Sequence, residues 1–295
     1  MKDCFSTYHP VVNFLFFFEV LGFSMFLLHP VCLLISLVCA AGYALRLNGR
    51  QAARLCLRGV LPMMVFTAIL NPMFSHEGVT ILTYLPSGNP LTLESILYGL
   101  AAAGMLAAVV LWFSCFNSVI TSDKFVYLFG RVSPALSLVL SMALRFVPRF
   151  KAQLKVVTRA QKCIGKDPTR GSLLHRLRCA GAILSVMVTW ALENGIDTAD
   201  SMKSRGYGLP GRTAFSIYRF DKRDKQALAL LLLLGGAVLA GAAFEGLTWR
   251  YFPSVKWSTA PLSLCVLGAY AALCAYPVIL DRKENRKWTA LRSKI

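Results

Sequence analysis

The chain has 295 residues, 56% of them hydrophobic, and carries a formal net charge of +18. High hydropathy argues for lipid and high charge for water, a combination that excludes an ordinary soluble protein. The conflict resolves by segregation: residues 59–123 contain no Lys or Arg, whereas residues 143–226 hold 17 of the 32 basic residues and 6 of the 14 acidic ones.

In chain order, apolar runs occur at 11–28, 31–45, 59–74, 95–121, 227–247 and 260–280. A spanning helix needs about 17–25 residues, so the second and third runs read as tilted, re-entrant or packed inside a bundle. Only Lys2 is basic before the first run, and Asp3 cancels it. The run is therefore expected to be a span and not a signal peptide. His9-Pro10 and His29-Pro30 mark helix boundaries. Glu19 is the one clear acid inside a span, and an intramembrane carboxylate is a functional candidate by default. With no base in a span to pair with, it is expected to face a hydroxyl or amide of the bundle.

Basic loops stay in the cytoplasm. Arg46, Arg50, Arg54 and Arg58 mark one such loop, the 143–226 block a second, and the tail "DRKENRKWTALRSKI" a third. Residues 75–94 carry two acids and no Lys or Arg and are expected outside. The pattern predicts an all-α polytopic membrane protein of about six transmembrane helices, with both termini cytoplasmic. Residues 1–123 form the first group of spans, 124–226 a cytoplasmic helical domain, and 227–295 the last spans and tail. Residues 125–144 are apolar enough to span, but a span there would put the basic block outside. They are placed as helices at the cytoplasmic membrane edge, broken near Ser133–Pro134. Residues 180–192 are too short to span and read as a helix core in the same domain.

Two helices are predicted in the basic block. Over 151–166, Phe150, Leu154, Val157 and Ile164 fall within about 40° of one line, while Lys151, Lys155, Arg159, Lys162 and Lys166 occupy a separate arc. By charge alone this suits a surface helix along anionic lipid. Over 190–205, Glu193, Asp197 and Asp200 share one face. At least one of them is expected to pair with a base of the first helix, with Ile164, Ile196 and Met202 packing near the crossing. The alternative is that the bases face lipid headgroups and the acids face water or cap the helix start. Gly206 directly follows Arg205, and "YGLPGRT" prevents continuation. The chain thus predicts a stopped helix with an arginine at its tip.

Catalytic patterns are absent from the sequence. It contains no G-x-x-x-x-G-K-[ST], H-E-x-x-H or G-x-S-x-G. Its nine cysteines show no metal-ligand spacing and are expected to be reduced and structural. The positive charge follows from a membrane protein's inner face, so no nucleic acid partner is expected.

At "SRGYGLPGRTAFSIYRFDKRD" the sequence resembles the transmembrane T component of energy-coupling factor (ECF) transporters. "HPVVNFLFFFEVLGFSMFLLHP" looks like the family's first span, and "LSLVLSMALRFVPRFKAQLKVVTRAQ" like its first coupling segment. "VTWALENGIDTADSMKSRGYG" looks like the helix that ends in its arginine signature. The resemblance implies a non-enzymatic subunit of the bacterial cytoplasmic membrane. It joins two cytoplasmic ATPases, which bind ATP and Mg, to a membrane-embedded S component that captures a vitamin or other micronutrient. It also implies two coupling helices, each ending in an x-Arg-x motif that docks into an ATPase groove. The second motif matches at Ser204, Arg205 and Gly206. The first aligns with Cys163, Ile164 and Gly165, putting Ile164 where arginine is expected. The first ATPase contact is then expected either to be apolar or to borrow one of the nearby bases, Arg159 or Lys162. The rival reading is a self-contained secondary transporter, which needs midplane polar groups and paired repeats. Glu19 is the only such group, and no repeat is found.

Overall fold

The structure, a computed structural model, describes residues 3–75, 77–84, 90–169, 171–210, 218–244, 249–252, 256–257 and 261–292. Helices dominate. A short 3-10 turn, Phe5–Thr7, precedes α1 (Pro10–Phe26) and α2 (Pro30–Asn48). Both helices start where the His-Pro pairs predict. Proline at the first helical position loses an N–H that has no intrahelical partner anyway, and the His9 ring accepts the Val11 N–H at 3.3 Å.

Next come α3 (Arg50–Leu55), a π turn (Cys56–Val60) and α4 (Leu61–Phe74). The Arg46–Arg58 loop expected from charge is therefore almost entirely helical. Only Gly49, at φ 48°, turns the chain, because residues 50–58 hold good helix formers apart from Gly59 just beyond them. A hairpin of β1 (Ile81–Tyr84) and β2 (Pro90–Thr92) leads into α5 (Leu93–Val119). Then follow α6 (Ser122–Val132), α7 (Pro134–Cys163), α8 (Leu173–Ser204) and α9 (Lys222–Ala243). A second hairpin, β3 (Trp249–Arg250) and β4 (Lys256–Trp257), precedes α10 (Pro261–Arg292).

Six described segments are long and apolar enough to cross a membrane: Pro30–Asn48, Arg50–Phe74, Leu93–Val119, Leu173–Ser204, Lys222–Ala243 and Ser263–Glu284. The fold is an all-α polytopic membrane protein. The membership of the six differs from the sequence expectation. Pro10–Phe26 is apolar but has only 17 residues, whereas α8 meets both criteria.

Contacts divide the chain into two units, Met1–Lys124 with Tyr218–Ile295, and Phe125–Ile217. In the first unit α5 packs on α2 and α4, α10 on α9 and α2, and α1 on α5 and α9. Four of these helices meet at a buried polar chain. The Trp112 indole donates to Ser36 Oγ at 2.9 Å, Ser36 lies 2.7 Å from Ser24, and Ser24 lies 3.2 Å from the Tyr270 hydroxyl. All four side chains are buried. Phe16 stacks edge-on against Trp112 at 5.8 Å, and Phe5 against Phe16 at 5.1 Å. In lipid no hydrophobic force draws helices together, so close backbone approach and such hydrogen bonds do. Gly99 shows that approach: a Cβ there would sit 3.0 Å from Asn71 Cβ and 3.2 Å from the Ala68 carbonyl.

The second unit holds most of α6 with α7 and α8. The break predicted near Ser133–Pro134 is present: Ser133 caps α7 by accepting the Leu136 N–H at 3.4 Å, and Pro134 follows at the first position. Both long helices extend well beyond their predicted cores. α7 runs on from Pro134 through Pro148, and α8 starts at Leu173 where about 190 was expected. No helix breaker other than single glycines lies between 173 and 190, and Ser172 supplies the cap through the His175 N–H. α7 and α8 cross with Phe150 edge-on to Trp190 at 5.4 Å.

Candidate functional site: two capped helix tips

The ends of α7 and α8 are built alike. After α7, Ile164 is the C-cap at φ −96°, ψ 20°, and Gly165 follows at φ 77°. After α8, Arg205 is the C-cap at φ −84°, ψ 8°, and Gly206 follows at φ 79°. The Gly165 N–H donates to the Lys162 carbonyl at 3.1 Å and the Lys166 N–H to the Gln161 carbonyl at 3.0 Å. The Gly206 N–H donates to the Lys203 carbonyl and the Tyr207 N–H to the Met202 carbonyl, both at 3.0 Å. Each pair is the two-bond pattern of a Schellman cap, whose left-handed residue glycine adopts without strain. Cys163–Ile164–Gly165 and Ser204–Arg205–Gly206 are therefore the same local structure with different side chains. Ile164 and Arg205 are both exposed.

The two tips lie at matched distances from the crossing. Phe150 precedes Cys163 by 13 residues and Trp190 precedes Ser204 by 14, so each arm runs about 20 Å beyond the contact. The crossing is aromatic, and it is not where Ile164 and Ile196 were expected to pack; these are 66% and 64% exposed.

The bases near the first tip are used unequally. Lys162 Nζ lies 3.5 Å from Asp167. The Thr169 hydroxyl and N–H also donate to Asp167, at 2.7 and 2.9 Å, and hold its carboxyl below the usual range. Arg176 Nε donates to the Pro168 carbonyl at 3.0 Å, tying the loop to α8. Arg159 is exposed, five residues before Ile164 and so about 140° around the helix from it. Glu193, Asp197 and Asp200 are exposed, and among the described residues no ion pair joins them to α7. The acids and bases lie on outward faces, while the rings of Phe150 and Trp190 meet between the helices.

The sequence profile of the CbiQ family, described as "Cobalt transport protein", matches residues 2–215, most of the chain and both tips. The chain belongs to the CbiQ family. It is also similar to curated proteins named "Energy-coupling factor transporter transmembrane protein EcfT". One from Lactobacillus helveticus (strain DPC 4571) is 37% identical over 105 residues, covering 35% of this chain and 38% of that protein. One from Exiguobacterium sibiricum is 27% identical over 188 residues, covering 61% of this chain and 72% of that protein. The L. helveticus match and one in Bacillus selenitireducens (34% identical) thus span about two fifths of those relatives' length, 38% and 40%.

Two features of this CbiQ-family chain escaped the sequence reading. First, residues 3–9 fasten both places where the chain passes between its units. Lys124, 6% exposed, donates to the Ser6 carbonyl at 2.5 Å and the Val119 carbonyl at 3.1 Å. With its amide oriented to donate to the Phe5 carbonyl, Asn13 accepts from the same ammonium at 2.8 Å. Burial pulls the Lys124 pKa down to about 8, partly opposed by Asp3. On the return passage, the His9 N–H donates to Asp224 at 3.3 Å, and the Arg223 guanidinium lies 4.2 Å over the Tyr8 ring. The capping box of Asp221 and Asp224 starts α9 there. Its "DKRD" spelling was readable in sequence; the Lys124 seat, made of backbone carbonyls, was not.

Second, among the described residues Glu19 does not meet a hydroxyl or amide. Its carboxyl packs against Gly235 of α9, where a Cβ would come within 2.7 Å of Oε1, and its buried Oε2 has no hydrogen-bond partner. The absence of a side chain at Gly235 leaves the room that the carboxyl occupies.

Proposed function

We propose that the chain is the transmembrane coupling subunit of an ECF-type importer of the bacterial cytoplasmic membrane. In this reading the tips of α7 and α8 dock into two ATPase subunits, which bind ATP and Mg and do the hydrolysis. A separate membrane-embedded S component captures the vitamin or micronutrient, and this chain passes the ATPase movement to it. The chain performs no chemistry of its own.

The observation that carries the reading is the pair of matched, exposed, Schellman-capped tips on arms of equal length. The names of the relatives add the transporter class. Although α8 is long and apolar enough to cross a membrane, Arg176 and Arg178 near its start and Lys203 and Arg205 near its end favour the same side for both ends, and the distribution of Lys and Arg supports a cytoplasmic position for residues 125–217 and the C-terminus. At the second tip Arg205 presents a planar fork of donors, suited to a carboxylate or to backbone carbonyls in a groove. A secondary transporter is disfavoured: the carboxyl of Glu19 faces glycine, and among the described residues no second charged group acts on it.

Co-purification of the ATPases with the tagged chain tests the reading. Arg205→Ala is expected to weaken their retention by about 2 kcal/mol or more, as for a buried interface anchor, and to abolish uptake. Full retention and full uptake with Arg205→Ala would sink it.

A further inference from the structure

We infer that Ile164 and Arg205 are a pair of specificity determinants that assign two chemically unlike ATPase subunits, one to each helix tip. This deepens the docking reading above and rests on it. The two tips share one backbone: the same cap residue conformation, the same pair of cap hydrogen bonds and the same left-handed glycine. Anything that fits one tip by shape fits the other. What differs is the side chain presented at the cap, a 66% exposed isoleucine on one tip and an exposed arginine on the other.

The charges around the first tip do not make up the difference. Lys162 is held by Asp167, and Arg176 is held by the Pro168 carbonyl. Arg159 points about 140° away from Ile164 on α7, and Lys166 lies beyond the turn. The first tip therefore offers an apolar plug on a loop already ordered by its own Asp167 and Thr169 bonds. The second offers a cation, flanked by exposed Tyr207 and Leu209.

One groove cannot serve both. Arg205 in an apolar groove would be a desolvated charge without a partner. Ile164 in a groove built for a guanidinium would leave that groove's acceptors buried and unpaired. The penalty falls on each wrong pairing, which is how specificity arises from similar shapes. The α7 tip thus takes an ATPase whose groove is apolar at the cap position, and the α8 tip takes one that places a carboxylate or converging carbonyls there.

Site-directed photo-cross-linking tests this in the full complex. A cysteine-free chain receives a single thiol, at Cys163 or through Ser204→Cys, and carries a thiol-attached photoreactive group. The labelled ATPase is then identified by mass spectrometry. The expected result is that each position labels a different ATPase polypeptide, favoured by about tenfold over the other. The exchange Ile164→Arg with Arg205→Ile is expected to abolish or reverse that preference. Equal labelling of one ATPase polypeptide by both tips, or an assignment unchanged by the exchange, overturns the inference while leaving docking intact. Labelling of no ATPase at either position overturns the docking reading and this inference together. Where the double variant assembles poorly, Ile164→Arg alone decides: it is expected to lose the preference of the Cys163 position, and an unchanged preference overturns the inference.

Discussion

The two units of the molecule satisfy their side chains in opposite ways. The Met1–Lys124 and Tyr218–Ile295 unit turns its polar groups inward, into the Trp112–Ser36–Ser24–Tyr270 chain and the Lys124 seat. The Phe125–Ile217 unit turns nearly everything outward. Along α8, Leu177, Leu184, Val188 and Leu192 are at least half exposed, and the charges of both long helices find few partners. The first unit is held together by its own contacts. The second presents two long arms with exposed apolar and charged side chains, the kind of surface the proposed coupling role calls for.

Cutting into each unit should give very different outcomes. Trp112→Ala removes a fully buried ring and one of the hydrogen bonds to Ser36 Oγ, and is expected to cost about 3–5 kcal/mol. Leu184→Ala, at a 64% exposed site on α8, should change the isolated chain by less than about 0.5 kcal/mol. Thermal unfolding of the detergent-solubilised chain compares them. Equal losses would break the contrast between the units.

The docking tip should be sensitive to geometry as well as charge. Arg205→Lys keeps the charge and loses the fork, and is expected to weaken ATPase retention by about 1 kcal/mol or more. Retention equal to that of the original chain in a titrated pull-down would show that a point charge is enough.

The Lys124 seat gives a pH signature. The unfolded lysine holds its proton to about 10.5, whereas the folded one releases it near 8. Between these values the unfolded state binds more protons, so folding stability should rise with pH across that window. Lys124→Met should remove this rise and leave the Ser6 and Val119 carbonyls unpaired, at about 1–3 kcal/mol. The readout is a pair of stability–pH curves, and identical slopes would show that Lys124 does not titrate in this way.

The smallest effect is expected on the outward faces. Asp197→Lys combined with Lys155→Asp should show a coupling below about 0.5 kcal/mol, because among the described residues no ion pair joins the helices. A larger coupling in a double-mutant cycle on uptake would mean that α7 and α8 repack during work.

The parts legible in sequence were those written by neighbouring residues. His9-Pro10, His29-Pro30 and Ser133–Pro134 mark helix starts through local backbone constraint, and the glycines after Ile164 and Arg205 mark their ends. The length of α8 was misjudged because its first half lacks charge periodicity, while its cap, Ser172, looks like any loop serine. The polar chain from Trp112 to Tyr270 joins residues up to 246 apart in sequence, so no spacing rule reports it. The Glu19–Gly235 contact is of the same kind. At the tips, the sequence showed which residues differ, and the structure supplied the equivalence of their backbones.

In the proposed role this chain transmits work done elsewhere. Substrate accumulation in proteoliposomes containing the chain and its S component, with and without the ATPases, measures that role. Accumulation is expected only when both ATPases and hydrolysable ATP are present, and is expected to be lost with Arg205→Ala. Accumulation driven by an ion gradient in the absence of ATPases would contradict that role.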